Sequence, residues 1–237
     1  MNCRWCHNPE GKKPGPESID IKVNGQNASS GAVKKKVFGS RISVAELMTE
    51  IKKDEIFYEQ SKGGVTFSGG EPMQQIGFLL GLLQACKNNG FHTALDTAGY
   101  APFGDFEKIY KLVDLFLYDI KLMSEAQHIL YTDVSNKLIF ENLERLSQMG
   151  NKVMIRIPLI PGITDTDENL DAIMNCLQKL KNIRKISLLP YNKLGEDKLR
   201  RFDIKSELKK LNRQTILEID EKGRRYRLCG YDVKVGG

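Results

Sequence analysis

The sequence predicts an α/β fold in which parallel strands are joined by helical crossovers, and three observations carry that reading. From residue 64 onward, short β-rich runs alternate with longer helical ones, as in a series of βαβ units. The helical runs have a helical apolar period: Ile139, Leu143 and Leu146 fall on one face, as do Leu170, Ile173, Met174, Leu177 and Leu180. Glycine-containing or charged clusters follow the strand-like runs, at the end where folds of this class bind ligands. At 237 residues, with 41% hydrophobic and 28% charged side chains, the chain can bury one substantial core. One domain spanning 1–237 is therefore expected.

Taken in chain order, the first element is a small β-hairpin insertion at about 18–38. Ile19, Ile21 and Val23 alternate with polar residues, 24–30 reads as a polar turn, and 33–38 returns as a second strand; a disordered loop is the competing reading. Ser43-Val44-Ala45-Glu46 is a capping box that opens a helix with Val44, Leu47, Met48 and Ile51 on one face. Strand candidates follow at 64–68, 92–97, 115–121, 152–158 and 185–190. The clusters at their ends are Ser68-Gly69-Gly70-Glu71-Pro72, Asp96-Thr97-Ala98-Gly99, Asp119 with Lys121, the run 158–164, and Pro190-Tyr191-Asn192. Such a series closes either into an open doubly wound sheet or into a full or partial barrel, and in both cases the clusters face one cleft.

Composition excludes several classes. No stretch approaches the roughly 20 apolar residues that span a bilayer, and no signal-peptide pattern opens the chain, so a cytoplasmic protein with no membrane partner is expected. The net charge of +6 is spread widely apart from Lys34-Lys35-Lys36, Lys209-Lys210 and Arg224-Arg225. These read as solvated faces before they read as a contact surface, and nucleic acid is not favoured as a partner. Five cysteines is an odd number. Cys86, Cys176 and Cys229 fall in apolar-periodic segments, which suits buried free thiols in a reducing compartment rather than a disulfide scaffold.

Cys3 and Cys6 are the residues that point to chemistry. Alone, a Cys-x2-Cys pair fits a zinc site, a redox motif, an iron–sulfur site or an ordinary loop. Zinc normally takes four ligands, and although His7 is available as a third, no second Cys-x2-Cys exists. Soft thiolates suit an iron–sulfur cluster, and three cysteines leave one iron open to another ligand. Gly69-Gly70-Glu71 strengthens that reading: paired glycines let backbone approach a ligand, and Glu71 can receive an ammonium group. A plain Gly-Gly turn is the alternative. Asp96, Asp119 and Lys121 are either routine strand-end ion pairs or the walls of a site for a charged cofactor.

Together these motifs carry a resemblance. The order C-x2-C-H-N-P-E, V-T-F-S-G-G-E-P, D-T-A-G-Y, L-Y-D-I-K, R-I-P-L-I-P-G-I-T-D and L-L-P-Y-N-K-L-G resembles the activating enzymes of glycyl radical enzymes. These form the pyruvate formate-lyase activating enzyme family, within the radical S-adenosylmethionine (radical SAM) superfamily. The resemblance implies a partial (β/α)6 TIM-like barrel, here lacking its first strand. In the family's Cys-x3-Cys-x2-Cys site the first cysteine would stand two positions before Met1. The resemblance therefore also implies that this chain lacks that ligand and is weakly active or inactive on its own.

The resemblance also assigns residues. Cys3 and Cys6 would hold a [4Fe-4S] cluster whose open iron is chelated by SAM, with Trp5 and His7 against the adenosine. Gly69, Gly70 and Glu71 would hold the methionine end, with Glu71 meeting the ammonium. Asp119, Ile120 and Lys121 match the family's cofactor segment, Lys121 being placed for the SAM carboxylate or ribose. Asp96, Thr97 and Asp119 match a monovalent cation site. The implied chemistry is reductive cleavage of SAM to methionine and a 5′-deoxyadenosyl radical, which takes a hydrogen from a glycine of a partner protein under anaerobic conditions. An electron donor such as flavodoxin or ferredoxin is implied, and no general acid or base is required.

Two departures stand out. Asn192 occupies the place of a histidine in relatives and can bond a ribose but cannot carry charge. The insertion at 18–38 holds no cysteine, so one cluster is the ceiling. Two other functions fit the same chain: a non-catalytic relic that keeps the barrel to bind a partner, and a radical SAM enzyme acting on another substrate. The presence of Glu71, Asp96, Asp119 and Lys121 weighs against the first, and the close motif match against the second.

Overall fold

The computed structural model describes residues 1–6, 8–12, 15–22, 33–202, 208 and 211–236. Strands β1 (Glu17–Lys22) and β2 (Val33–Phe38) pair antiparallel, with Glu17 opposite Phe38; the expected turn at 24–30 lies outside the described residues. Helices α1 (Val44–Ile51) and α2 (Glu55–Ser61) lead into β3 (Gly64–Phe67), α3 (Ile76–Asn88), β4 (His92–Thr97), α4 (Phe103–Ile109) and β5 (Leu115–Asp119). The chain continues through α5 (Glu125–Thr132), α6 (Lys137–Gln148), β6 (Val153–Leu159), α7 (Asp167–Leu177) and β7 (Lys185–Pro190). It ends with α8 (Leu194–Arg201), α9 (Ile216–Leu228) and β8 (Asp232–Val235).

Strands β3 to β8 form one parallel sheet in strict chain order. A doubly wound sheet reverses its strand order at a switch point, and this one never does, so the order is that of a partial barrel. Strand β8 was not among the sequence candidates. Its Asp-Val-Lys-Val run is short and its residues are half-buried or exposed, so it carries little of the apolar signal that marks a strand. The other boundaries differ from expectation by at most two residues, the largest shift being β5, which ends at Asp119 rather than at Lys121.

Burial alternates along β6: Val153, Ile155, Ile157 and Leu159 are buried, while Met154, Arg156 and Pro158 are less so. The first set joins the main core with Ile139, Leu143 and Leu146 of α6 and Leu170, Ile173 and Leu177 of α7. The second set faces the concave side. Ser43 caps α1 as expected, its hydroxyl accepting from the Glu46 amide while the Glu46 carboxylate accepts from the Ser43 amide. Of the expected buried thiols, Cys86 is buried, but Cys176 is half-buried and Cys229 is exposed. Cys229 caps the end of α9, beyond its last buried residue, Tyr226.

Two amides lock the loops at the carboxyl ends of the strands. Asn142 on α6 donates to the carbonyls of Gly99 and Ala101, both at 2.8 Å. Gly99 has φ +75°, and a Cβ there would lie 1.8 Å from the Tyr118 hydroxyl, so no other residue fits. Asn169 on α7 uses its whole amide. Its Nδ2 donates to Lys121 O at 2.9 Å and Thr164 O at 2.8 Å, and its Oδ1 accepts from the Met123 amide at 2.9 Å. One side chain thereby ties the exit of β5 to the exit of β6. Asn169→Ala leaves these buried groups without partners, and a loss on the order of 3 kcal/mol is expected in urea unfolding. A loss below about 0.5 kcal/mol, the usual size of a surface change, would show that the amide does not hold the two loops.

Candidate functional site

The strand ends and the amino-terminal segment enclose a cavity of about 480 Å3, within the range of small-molecule sites. It is lined by Cys3, Trp5 and Cys6 from the amino terminus, by Gly69, Gly70 and Glu71 after β3, and by Asp96 and Thr97 of β4. Asp119 and Lys121 close it from β5, Arg156 from β6, and Tyr191 and Asn192 from beyond β7. Of the residues singled out in the sequence, the structure brings all of these together. Ile120 is the exception: it is 1% exposed, its side chain lies in the main core, and its amide bonds Arg156 O at 2.9 Å. Strand alternation turns it away from the flanking Asp119 and Lys121. His7 lies outside the described residues.

The amino-terminal segment is laid along α5 by backbone pairing, with Asn2 N bonded to Thr132 O at 2.9 Å and Arg4 N to Tyr131 O at 3.0 Å. Cys6 N then turns back onto Cys3 O at 3.2 Å, which brings the two thiols to the same wall. Trp5 packs with Leu122, Ile160 and Tyr191 in a small second core. Further on, Gly11 meets the glycine turn: a Cβ at Gly70 would lie 2.3 Å from Gly11 O. Gly70 thus serves first as a backbone-to-backbone contact between two loops of the site, while Gly69, at φ +130°, makes the turn that brings it there.

Glu71 is held by three donors, the Thr97 hydroxyl at 2.8 Å, the Ala98 amide at 2.9 Å and the Met73 amide at 3.2 Å. Burial pushes its carboxyl above the ordinary glutamate value, against those bonds and the charge of Lys121. Lys121 is 8% exposed and donates to Asp119 Oδ2 at 3.0 Å. Burial pulls the ammonium down, but Asp119, Cys3 and Glu71 outweigh it and leave it above the ordinary lysine value. The Cys3 thiol is raised by burial, with Lys121 opposing. Lys121 therefore stays charged at the centre of a group of acids.

Arg156 was not singled out in the sequence. The β5–β6 register sets it opposite Asp119, and its guanidinium reaches across to Asp96 at 2.6 Å while standing 3.4 Å from Asp119 Oδ1. The second contact is an ion pair without hydrogen-bond alignment, and Asp119 Oδ1 is a buried acceptor with no donor. Ser68 donates to Asp96 at 2.8 Å. The two carboxylates expected around a metal cation thus share a guanidinium, and the Thr97 hydroxyl serves Glu71 instead. No group of three or more His, Cys, Asp or Glu with metal-ligating geometry occurs among the described residues. The available signal for Arg156 was a charge on the concave face of an otherwise apolar strand.

The radical SAM superfamily model matches residues 1–174. The chain belongs to the radical SAM superfamily. Within it, the relatives are activating enzymes of glycyl radical enzymes. The trans-4-hydroxy-L-proline dehydratase activating enzyme of Clostridioides difficile is 43% identical over 206 residues, covering 86% of this chain and 68% of its own length. The choline trimethylamine-lyase activating enzyme of Oleidesulfovibrio alaskensis is 41% identical, covering 70% of this chain and 54% of its own length. The chain therefore spans between about half and two thirds of these relatives. A crystal structure of a domain of pyruvate-formate lyase-activating enzyme from Bacteroides vulgatus superposes with a TM-score of 0.62 at 29% identity, over 74% of this chain and 99% of that one.

Radical SAM proteins use SAM and an iron–sulfur cluster, and the residues here fit both in kind. The thiol pair on one wall suits soft iron. The unsatisfied Asp119 Oδ1 and the Glu71 carboxylate suit the hydroxyl and ammonium donors of a nucleotide–amino acid conjugate. Among the described residues, no helix is long and apolar enough to cross a membrane.

The raised Glu71 carboxyl has a signed consequence. The folded protein binds its proton more tightly than the unfolded chain, so this group's contribution to stability falls as pH rises from the ordinary glutamate value through the raised one. Glu71→Gln cannot titrate. Whatever constant offset the amide introduces, the stability of Glu71→Gln relative to the parent is expected to climb with pH across that window, read from urea midpoints. A relative stability that falls with pH across that window instead would reverse the assignment.

Proposed function

We propose that this radical SAM protein is an activating enzyme that binds SAM in the cavity between Cys3, Glu71 and Lys121 and acts on a glycine of a glycyl radical enzyme. The observation that carries the reading is convergence: a thiol pair, a Gly-Gly-Glu turn and an Asp-x-Lys strand end, far apart in sequence, line one cavity of about 480 Å3. Cys3 and Cys6 would hold a [4Fe-4S] cluster, which when bound would supply the electron for reductive cleavage of SAM, with flavodoxin or ferredoxin as the proposed donor.

The chain's own residues bind and orient. Glu71 Oε2 accepts a single bond, from Ala98, and has a lone pair left for the SAM ammonium. Lys121 faces the carboxylate or ribose, Asn192 offers its amide to the ribose hydroxyls, and Trp5 bounds the adenosine wall. Arg156 supplies a fixed positive charge between Asp96 and Asp119, where the resemblance of the motifs implies a monovalent cation; a cation there would have to displace the guanidinium. The buried cluster of Trp5, Leu122, Ile160 and Tyr191 keeps one flank of the site dry, as radical chemistry requires. Free cysteines throughout the described residues suit a cytoplasmic, reducing location.

Binding of SAM, measured by equilibrium dialysis without added metal, tests the cavity. Glu71→Ala and Lys121→Met are each expected to weaken it by about tenfold or more, near 1.4 kcal/mol per site. Affinity unchanged in both would remove the basis of the assignment. After anaerobic loading with iron and sulfide, 5′-deoxyadenosine formation should require Cys6, and activity that survives Cys6→Ala would exclude it as a ligand.

A further inference from the structure

The segment that carries Cys3 and Cys6 touches the barrel at two other places, and the second has no assigned role. Lys198 on α8 donates to Asn8 Oδ1 and to Glu10 Oε1, both at 2.7 Å. The pair is sheltered, with Lys198 34% and Glu10 18% exposed, and the other Glu10 oxygen is buried with no hydrogen-bond partner. Among the described residues, the negative charge of Glu10 is therefore answered at this position by the Lys198 ammonium group.

The rest of the geometry shows what that contact controls. On either side of Cys3, the segment is tied to the end of α5 by the amides of Asn2 and Arg4. After them, Pro9–Gly11 forms a single 3-10 turn whose Gly11 carbonyl abuts Gly70. Lys198 lies over that turn. It belongs to the stretch that begins at Tyr191, which shares a small buried cluster with Trp5 and whose hydroxyl donates to Glu196. Burial and the Glu196 charge raise the Tyr191 phenol, so it remains a donor. One eight-residue span, 191–198, thus joins the buried cluster of Trp5, between the thiols, and bonds the loop directly beyond them, at Asn8 and Glu10.

We infer that Lys198 is a positioning residue: by bridging Asn8 and Glu10 it clamps the cysteine loop against the glycine turn and fixes where Cys3 and Cys6 face the cavity. The significance for catalysis rests on the proposed role of those thiols, whereas the clamp itself is a property of the protein alone. It also accounts for two sequence features that cofactor contacts leave unused, the Asn-x-Glu after the second cysteine and the lysine two residues after Glu196 on α8.

The test uses the full chain, reduced and without metal, under argon. Iodoacetamide labelling of each cysteine is followed by mass spectrometry, with buried Cys86 and exposed Cys229 as internal references. Lys198→Met is expected to speed labelling of Cys3 and Cys6 by about five- to tenfold, the size of one charge-assisted contact, with both references unchanged and the melting temperature lowered by no more than about 5 °C. Lys198→Arg, which can still bridge both oxygens, should restore most of the protection. Glu10→Gln should give a similar rise, and the double variant little more than either single one, because the two changes remove the same interaction. Equal labelling in parent and Lys198→Met, or fully additive effects in the double variant, would overturn the clamp. If labelling responds as expected while SAM affinity does not change in any of these variants, the clamp stands and the assignment of the cavity to SAM is what fails.

Discussion

Every strand of the main sheet runs in the same direction and follows its predecessor in chain order. That constraint organises the molecule. It sends all strand exits to one rim, so a residue placed just after an apolar strand arrives at the same cavity whichever strand precedes it. The opposite rim receives the helix ends and connections. Registers then decide the finer placement: with Asp119 beside Arg156 across β5 and β6, a guanidinium is brought within reach of two acids without any loop having to carry it.

The amino-terminal loop is not part of that sheet and has to be fastened to it. It is fastened by contacts of three kinds: amide bonds to α5, the approach of Gly11 to Gly70, and the side chains of the 191–198 span. Gly70 has a packing function beside any ligand role. The site's geometry therefore depends on residues that never face the cavity's interior, which is common where reactive groups sit on loops held by a rigid scaffold.

The parts of this arrangement that sequence could reveal are those with a period or a local rule. The apolar rhythm of 139–146 and 170–177 placed two core helices, the Ser43 and Glu46 spacing placed a capped helix start, and glycine and charge clusters marked the rim. Choosing between an open sheet and a barrel required strand order, which no local pattern encodes. Ile120 was drawn into the site by its neighbours, although strand alternation places a residue between two inward ones on the opposite face. Arg156, Asn169 and Lys198 were missed because each has a deciding partner far away in sequence: Asp119, Lys121 and Asn8 respectively. Each is an ordinary polar residue until the fold supplies its counterpart. Strand β8 was missed because its exposed, charged run carries hardly any strand signal.

The ion bridge from Asp96 through Arg156 to Asp119 joins three neighbouring strands at the cavity rim, whereas the body of the sheet is held by apolar packing. The two have different sensitivities to solvent. Dissolved salt weakens attraction between partly exposed charges but strengthens, if anything, the burial of hydrocarbon. The molecule is therefore mechanically lopsided: rising ionic strength slackens this bridge at the mouth while leaving the barrel wall taut.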